Sequence, residues 1–197
     1  MVANPAEPVL RLQSIHRSPA QARILSAALG LFADHGVSGT SLQMIADALG
    51  VTKAAVYHQF KTKNEIVLAV AETEFAQLEA ALEEAEAEPS RERAREMLLR
   101  RVIDVAVGRR RWVRALQNDP VMVRLLTAHA PLMHVMDRVY GLLLDDMGNG
   151  SKVRMAMMGA TIGATVVHPL VAGLDDETLR RELLHAARRL FDVPGVA

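Results

Sequence analysis

The chain has 197 residues, half of them hydrophobic, and a formal net charge of +0. That apolar share argues against disorder, and the absence of cysteine excludes disulfides and thiolate chemistry. No apolar run reaches the roughly 18 residues a membrane span needs, and Arg11 and His16 interrupt the first apolar residues, so neither a span nor a signal peptide is expected.

Methionine is frequent and aromatics make up only 4% of the chain, while Ala and Leu dominate and β-branched residues seldom alternate. The pattern predicts an all-α protein. Residues 1–17, with Pro5 and Pro8 and few core signals, read as a flexible arm. Arg11 and Arg17 in it suit a minor groove, or simply a solvated tail. Ser18-Pro19 then reads as an N-cap followed by proline in the first turn. Ile24, Ala28, Leu31 and Phe32 repeat at helical spacing, and Gly36 is expected to end that helix.

The next stretch, Ser41 to Phe60, reads SLQMIADALGVTKAAVYHQF. Leu42, Ile45, Ala46 and Leu49 make an apolar stripe. Thr40 is expected to cap the helix, with Gln43 completing a capping box. Gly50 breaks the helix by tolerating positive φ, and Ala46 is small enough for a close helix crossing. Val51 and Val56 then face back toward Leu49 from a second short helix, about Thr52 to Gln59. This is the spacing of a helix-turn-helix, whose second helix fits the major groove of DNA. Thr62 and Glu65 form a further capping box that opens a long helix from Lys63.

The segment ILSAALGLFADHGVSGTSLQMIADALGVTKAAVYHQFKTKNEIV, Ile24 to Val67, resembles the DNA-binding domain of the TetR family of bacterial transcriptional regulators. Phe32, Gly36, Thr40-Ser41, Ile45-Ala46, Gly50-Val51, Tyr57, Phe60 and Lys63 carry the likeness. The resemblance implies a three-helix head over 18–66, joined by a long helix to an α-helical ligand-binding and dimerisation domain over 67–197. It also implies a homodimer on a palindromic double-stranded DNA operator, a small-molecule effector and a cytoplasmic location, without metal, cofactor or membrane.

Within the head, Lys53, Ala54 and Ala55 occupy the end of the second helix that reaches base edges, with Thr52 capping it. Lys53 suits guanine and Ala55 a thymine methyl. Gln43 suits adenine, or serves only in its capping box. Thr40, Tyr57, His58 and Lys63 suit phosphate oxygens. Residues 1–68 hold six Lys/Arg against four acids, a weak positive bias in a neutral chain.

Punctuation divides the remainder into further helices: Lys63 to about Glu86, Pro89-Ser90 to Val107, Gly108 to Gln117, Asp119-Pro120 to Thr127, Pro131 to about Asp146, Ser151 to His168, and Asp175 to Phe191. By resemblance the middle helices enclose a ligand cavity, with Trp112, Leu116, Met122, Met133, Met136, Tyr140 and Met158 as candidate lining. Such residues equally make plain core. Gly159 and Gly163, with Leu179, Leu183, Ala187 and Leu190, are the expected dimer face. Arg109, Arg110, Arg111 and Arg114 read as a solvated helix face.

Two other classes are weaker. An enzyme would need more than His129, His134, His168 and His185, whose spacing is not that of metal ligands. Gly148 to Lys152 lacks the order of a phosphate loop and reads as a turn and N-cap. A helical adaptor with a degenerate helix-turn-helix would leave Lys53, Tyr57 and Lys63 without purpose.

Overall fold

A computed structural model describes residues 11–12, 15–144 and 149–191. The described residues form ten α-helices and no strand: α1 Pro19–Gly39, α2 Leu42–Leu49, α3 Lys53–Gln59, α4 Lys63–Glu86, α5 Arg91–Gly108, α6 Arg110–Asn118, α7 Pro120–Thr127, α8 Ala130–Leu143, α9 Asn149–Val167 and α10 Asp176–Phe191. A short 3-10 turn, Pro169–Val171, leads toward α10.

Local chemistry starts most of these helices. Ser18 and Gln21 form a reciprocal capping box on α1, and Thr62 Oγ1 accepts the Glu65 amide at 3.1 Å on α4. Ser90 and Asp175 cap α5 and α10 through the amides of Arg93 and Thr178. Gly50, at φ 65° and ψ 32°, closes α2 in the left-handed conformation, with the Val51 amide donating to Ala46 O at 3.0 Å.

Helix α4 is the spine. Its N-terminal half packs against α1, and farther along it meets α5, α7 and α8. α10 lies on α5 and α9, fixed by Arg188 pairing with buried Glu96, which also accepts from Arg100. Ile66, Val67 and Val70 of α4 join Phe32, Ile45 and Val56 of the head to Leu98, Leu132 and Leu143 in one continuous core.

Several expectations are corrected. The regular helix of α1 does break at Gly36, where φ is 73° and ψ 166°, and the correction is one further turn that runs on to Gly39. Val51 does not close the head core: the turn at Gly50 leaves it 38% exposed. α9 begins at Asn149, which places Ser151 inside the helix instead of at its cap. α8 ends at Leu143, and Asp146 lies outside the described residues, as do Pro5 and Pro8. Arg11 and Arg17 are held on α4, by Glu83 and Glu72, and Leu12 is buried. The described part of the N-terminal segment therefore packs on the protein and does not reach out as an arm.

Candidate nucleic-acid interface

Helix α3 is attached to the head almost entirely through Val56 and, just beyond its end, Phe60, both buried. Thr52 caps it, accepting the Ala55 amide at 3.2 Å. Everything else on its outer side is available: Lys53, Ala54, Ala55 and His58 are exposed, and Tyr57 is 52% exposed. A seven-residue helix that commits so little of itself to packing presents its surface to a partner. The structure thus brings the expected reading residues Thr52, Lys53, Ala54 and Ala55 together at the N-terminal end, with Tyr57 and His58 farther along. Lys61, which pattern reading passed over, places its ammonium 4.8 Å from the centre of the Tyr57 ring. That contact orients the phenol and adds a cation to the same face.

Gln43 is exposed on α2, but it does not complete a capping box. Ser41 is the N-cap, accepting the Met44 amide at 3.2 Å, and Gln43 Nε2 donates to Asp47 Oδ1 at 2.7 Å one turn along. Thr40 is the clearest correction. It is 2% exposed, and its hydroxyl donates to Gly36 O at 2.8 Å and Leu31 O at 3.3 Å. Its side chain closes the end of α1 and faces no solvent.

Lys63 is likewise turned inward. Its ammonium donates to Val37 O at 2.6 Å and Thr40 O at 2.9 Å, with Ser38 O at 3.5 Å. It collects the carbonyls left open at the end of α1. The amides of the same segment are held from the other side. Asp119 Oδ2 accepts Val37 N–H at 2.5 Å and Ser38 N–H at 3.3 Å, while its Oδ1 accepts Val121 N–H at 2.8 Å and Met122 N–H at 3.4 Å. Burial opposes ionisation of Asp119, but these four amides together outweigh it and hold the carboxyl below its ordinary value. Spacing gave no signal for this long-range role; Asp119 announced itself only as the cap of α7.

Beyond the head, a cavity of 680 Å³ lies among α4 to α9. Leu116, Met136, Tyr140 and Met158 line it as expected, with Val102, Val139 and Ile162. Trp112, Met122 and Met133 do not. Trp112 is buried edge-on to Phe75, Met122 is fully buried, and Met133 is half-buried away from the lining. Tyr140 carries the one phenol among the lining residues, and burial pushes its pKa up. The far wall is the small-residue face of α9, Gly159, Ala160, Gly163 and Ala164. A side chain at Gly159 would meet the Tyr140 hydroxyl at 3.0 Å.

The expected dimer face is divided. Leu179, Leu183 and Ala187 are buried within the chain, because α10 packs on α5 and α9; they floor a groove between α9 and α10. Leu190 is 65% exposed and Gly159 is exposed, in company with Val153, Met157, Leu170 and Leu174. Of the basic run, Arg111 and Arg114 are exposed, but Arg109 pairs with buried Glu74 at 3.4 Å and Arg110 with Asp176 at 2.7 Å. His129 meets Glu72 at 3.0 Å, and His168 caps the 3-10 turn. Among the described residues no three His or acidic side chains are grouped to hold a metal, and no helix is long and apolar enough to cross a membrane.

Residues 24–70 match the family described as bacterial regulatory proteins, tetR family. Similar curated proteins include the HTH-type transcriptional regulator AcrR of Shigella flexneri, 54% identical over 43 residues, and the HTH-type transcriptional repressor KstR2 of Mycolicibacterium smegmatis, 39% identical over 44. These matches cover 22% of this chain and only 20% and 22% of those proteins. The fold is shared much more widely. A TerR/AcrR-family transcriptional regulator from Aquifex aeolicus superposes with a TM-score of 0.65 at 18% identity, over 87% of this chain and 99% of that one. The TetR-family regulator PfmR from Thermus thermophilus gives 0.61 at 22% identity, over 93% and 99%. The fatty acid degradation regulator FadR from Bacillus halodurans gives 0.64 at 16%, over 92% and 98%. Residues 24–70 thus carry the sequence pattern of the tetR family of bacterial regulatory proteins, and the described chain shares its fold with the regulators named above.

Proposed function

We propose that this protein is a cytoplasmic, homodimeric transcriptional repressor that leaves its operator when a small apolar or aromatic molecule fills the cavity. The observation that carries the reading is α3, packed through Val56 and Phe60 and otherwise exposed with Lys53, Tyr57 and His58 outward. One such helix binds weakly; two, spaced by a turn of DNA, gain by effective concentration. The exposed apolar residues Val153, Met157 and Leu190 on α9 and α10 support pairing of two chains there. The boundary between head and regulatory domain falls in α4 near residue 66.

The cavity supports the effector class. Its lining is almost wholly apolar, and Tyr140 offers a neutral hydroxyl to orient a ligand. Release then needs differential binding: to weaken operator affinity 100-fold the effector must favour the released form by about 2.7 kcal/mol.

Ala54 and Ala55 leave little for direct base readout, so DNA shape contributes to operator choice. Selection of bound sequences from random DNA tests the reading. The expected product is a palindrome whose half-sites lie about 34–36 Å apart, bound with a steep salt dependence. No enriched sequence and no salt-sensitive binding would instead favour a protein-binding adaptor.

A further inference from the structure

Residues 36–40 lead directly into α2, and they are gripped from two sides. Their carbonyls answer to Lys63, at the start of α4. Their amides answer to Asp119, which lies between α6 and α7. The α6–α7 joint belongs to the cavity: α6 contributes Val113 and Leu116 to its wall, and α7 contributes Val123. The head therefore meets the regulatory domain along the α4 spine and across the packing of α1 on α6, and Asp119 is the polar tie at the end of that second contact. Asp119 is 5% exposed, and the second attachment is closely fitted. Gly36 lies where any Cβ would come within 3.0 Å of Asp119 Oδ2, and its φ of 73° with extended ψ is tolerated by glycine alone.

We infer that Asp119 is a positioning residue for DNA binding: through Val37 and Ser38 it fixes the orientation of the helix-turn-helix, and it makes that orientation depend on the α6–α7 wall of the cavity. The inference rests on the DNA-binding reading for its consequence, though not for its geometry. A ligand that displaces the α6–α7 joint draws on two amides, three and two residues before Thr40, whose buried hydroxyl ties the same turn to Leu31 O of α1. The turn moves as a unit, and α2 and α3 move with it.

Asp119→Asn separates this role from simple capping. Asparagine is as good an N-cap as aspartate, so its one carbonyl oxygen serves Val121 and Met122. Its amide group then faces the Val37 and Ser38 N–H groups, donor against donor. Asp119→Ser, which caps α7 with a side chain too short to reach the head, is the second variant. The chain has no cysteine, so Ala54→Cys on α3 and Glu92→Cys on α5 admit a spin-label pair. Mixing with excess unlabelled chain confines each measured pair to one protomer.

The expected result is a single narrow distance in the parent and a broadened or shifted one in both variants. Val37 and Ser38 amides should exchange at least about tenfold faster, while those of Val121 and Met122 keep their protection. Affinity for the selected operator should fall by about tenfold. An unchanged distance, with faster exchange confined to Val121 and Met122, would reduce Asp119 to a cap of α7 and overturn the inference. One sharp distance in the labelled parent, with no affinity of the unlabelled, cysteine-free protein for any DNA, would overturn the DNA-binding reading alone.

Discussion

Lys63→Met separates two roles that the same residue can fill. The substitution keeps the aliphatic stem and removes the ammonium. That ammonium makes two short bonds, to Val37 O at 2.6 Å and Thr40 O at 2.9 Å; the contact to Ser38 O at 3.5 Å adds little. A hydrogen bond from a charged donor contributes about 1.5–3 kcal/mol. Lys63 is only half-buried, so each bond is worth nearer the lower end, and two carbonyls are left without a donor. The expected loss is about 2–3 kcal/mol, a fall in Tm of roughly 5–10 °C for a chain of this size. Urea unfolding followed by circular dichroism measures it. Binding to the selected operator, titrated against salt, supplies the second reading. A clamp lowers affinity by loosening the head and leaves the salt slope alone. A phosphate contact flattens the slope by about 0.9 and leaves stability alone. Unfolding free energy unchanged within about 0.5 kcal/mol, together with a flatter slope, would refute the clamp.

Tyr57→Ala should remove most operator affinity while the proposed dimer sediments as before and Tm stays put, since Tyr57 is 52% exposed; wild-type affinity would remove Tyr57 from the interface. Lys53→Ala should alter the selected sequence more than affinity for random DNA, and a uniform loss would assign Lys53 to phosphate. Glu74→Gln should stabilise the protein at pH 7 by about 0.5–1 kcal/mol, because Glu74 is 6% exposed with Oε2 lacking a hydrogen bond. Burial raises the Glu74 pKa above its ordinary 4.5 despite Arg109, so the folded state holds that proton more tightly. Stability is therefore lost as pH rises from 4.5 through the folded value, and the advantage of the variant should vanish below pH 4.5. Gly159→Ala should weaken binding of a neutral apolar probe such as N-phenylnaphthylamine severalfold, since its Cβ would crowd the Tyr140 hydroxyl at 3.0 Å. Unchanged probe affinity would place the ligand site elsewhere.

The helices were legible because their starts are local. Ser18 with Gln21, Thr62 with Glu65, Asp175 with Thr178 and Gly50 each act within a few residues, and sequence spacing records such contacts directly. The cavity was legible only in part. A methionine at helical spacing has the same signature whether it lines a void, as Met136 and Met158 do, or fills core, as Met122 does. The stripe on α10 was ambiguous for a related reason. Leu179, Leu183 and Ala187 do form an apolar face, but periodicity says that a face is buried and not which surface buries it.

The ambiguities at the interface share one physical cause. A helix end leaves carbonyls and amides unpaired, and the side chains that satisfy them are the same hydroxyls, ammoniums and carboxylates that serve DNA. Thr40 and Lys63 fit a phosphate as well as they fit the end of α1, so residue type could not decide between them. What decides is the break at Gly36. It opens an extra turn whose carbonyls demand a cation and whose amides demand an anion, and Lys63 and Asp119 arrive from 26 and 82 residues beyond Val37 to supply them. A head assembled this way has its orientation set by elements remote in sequence. Such dependence is what the proposed effector would require in order to be felt at α3.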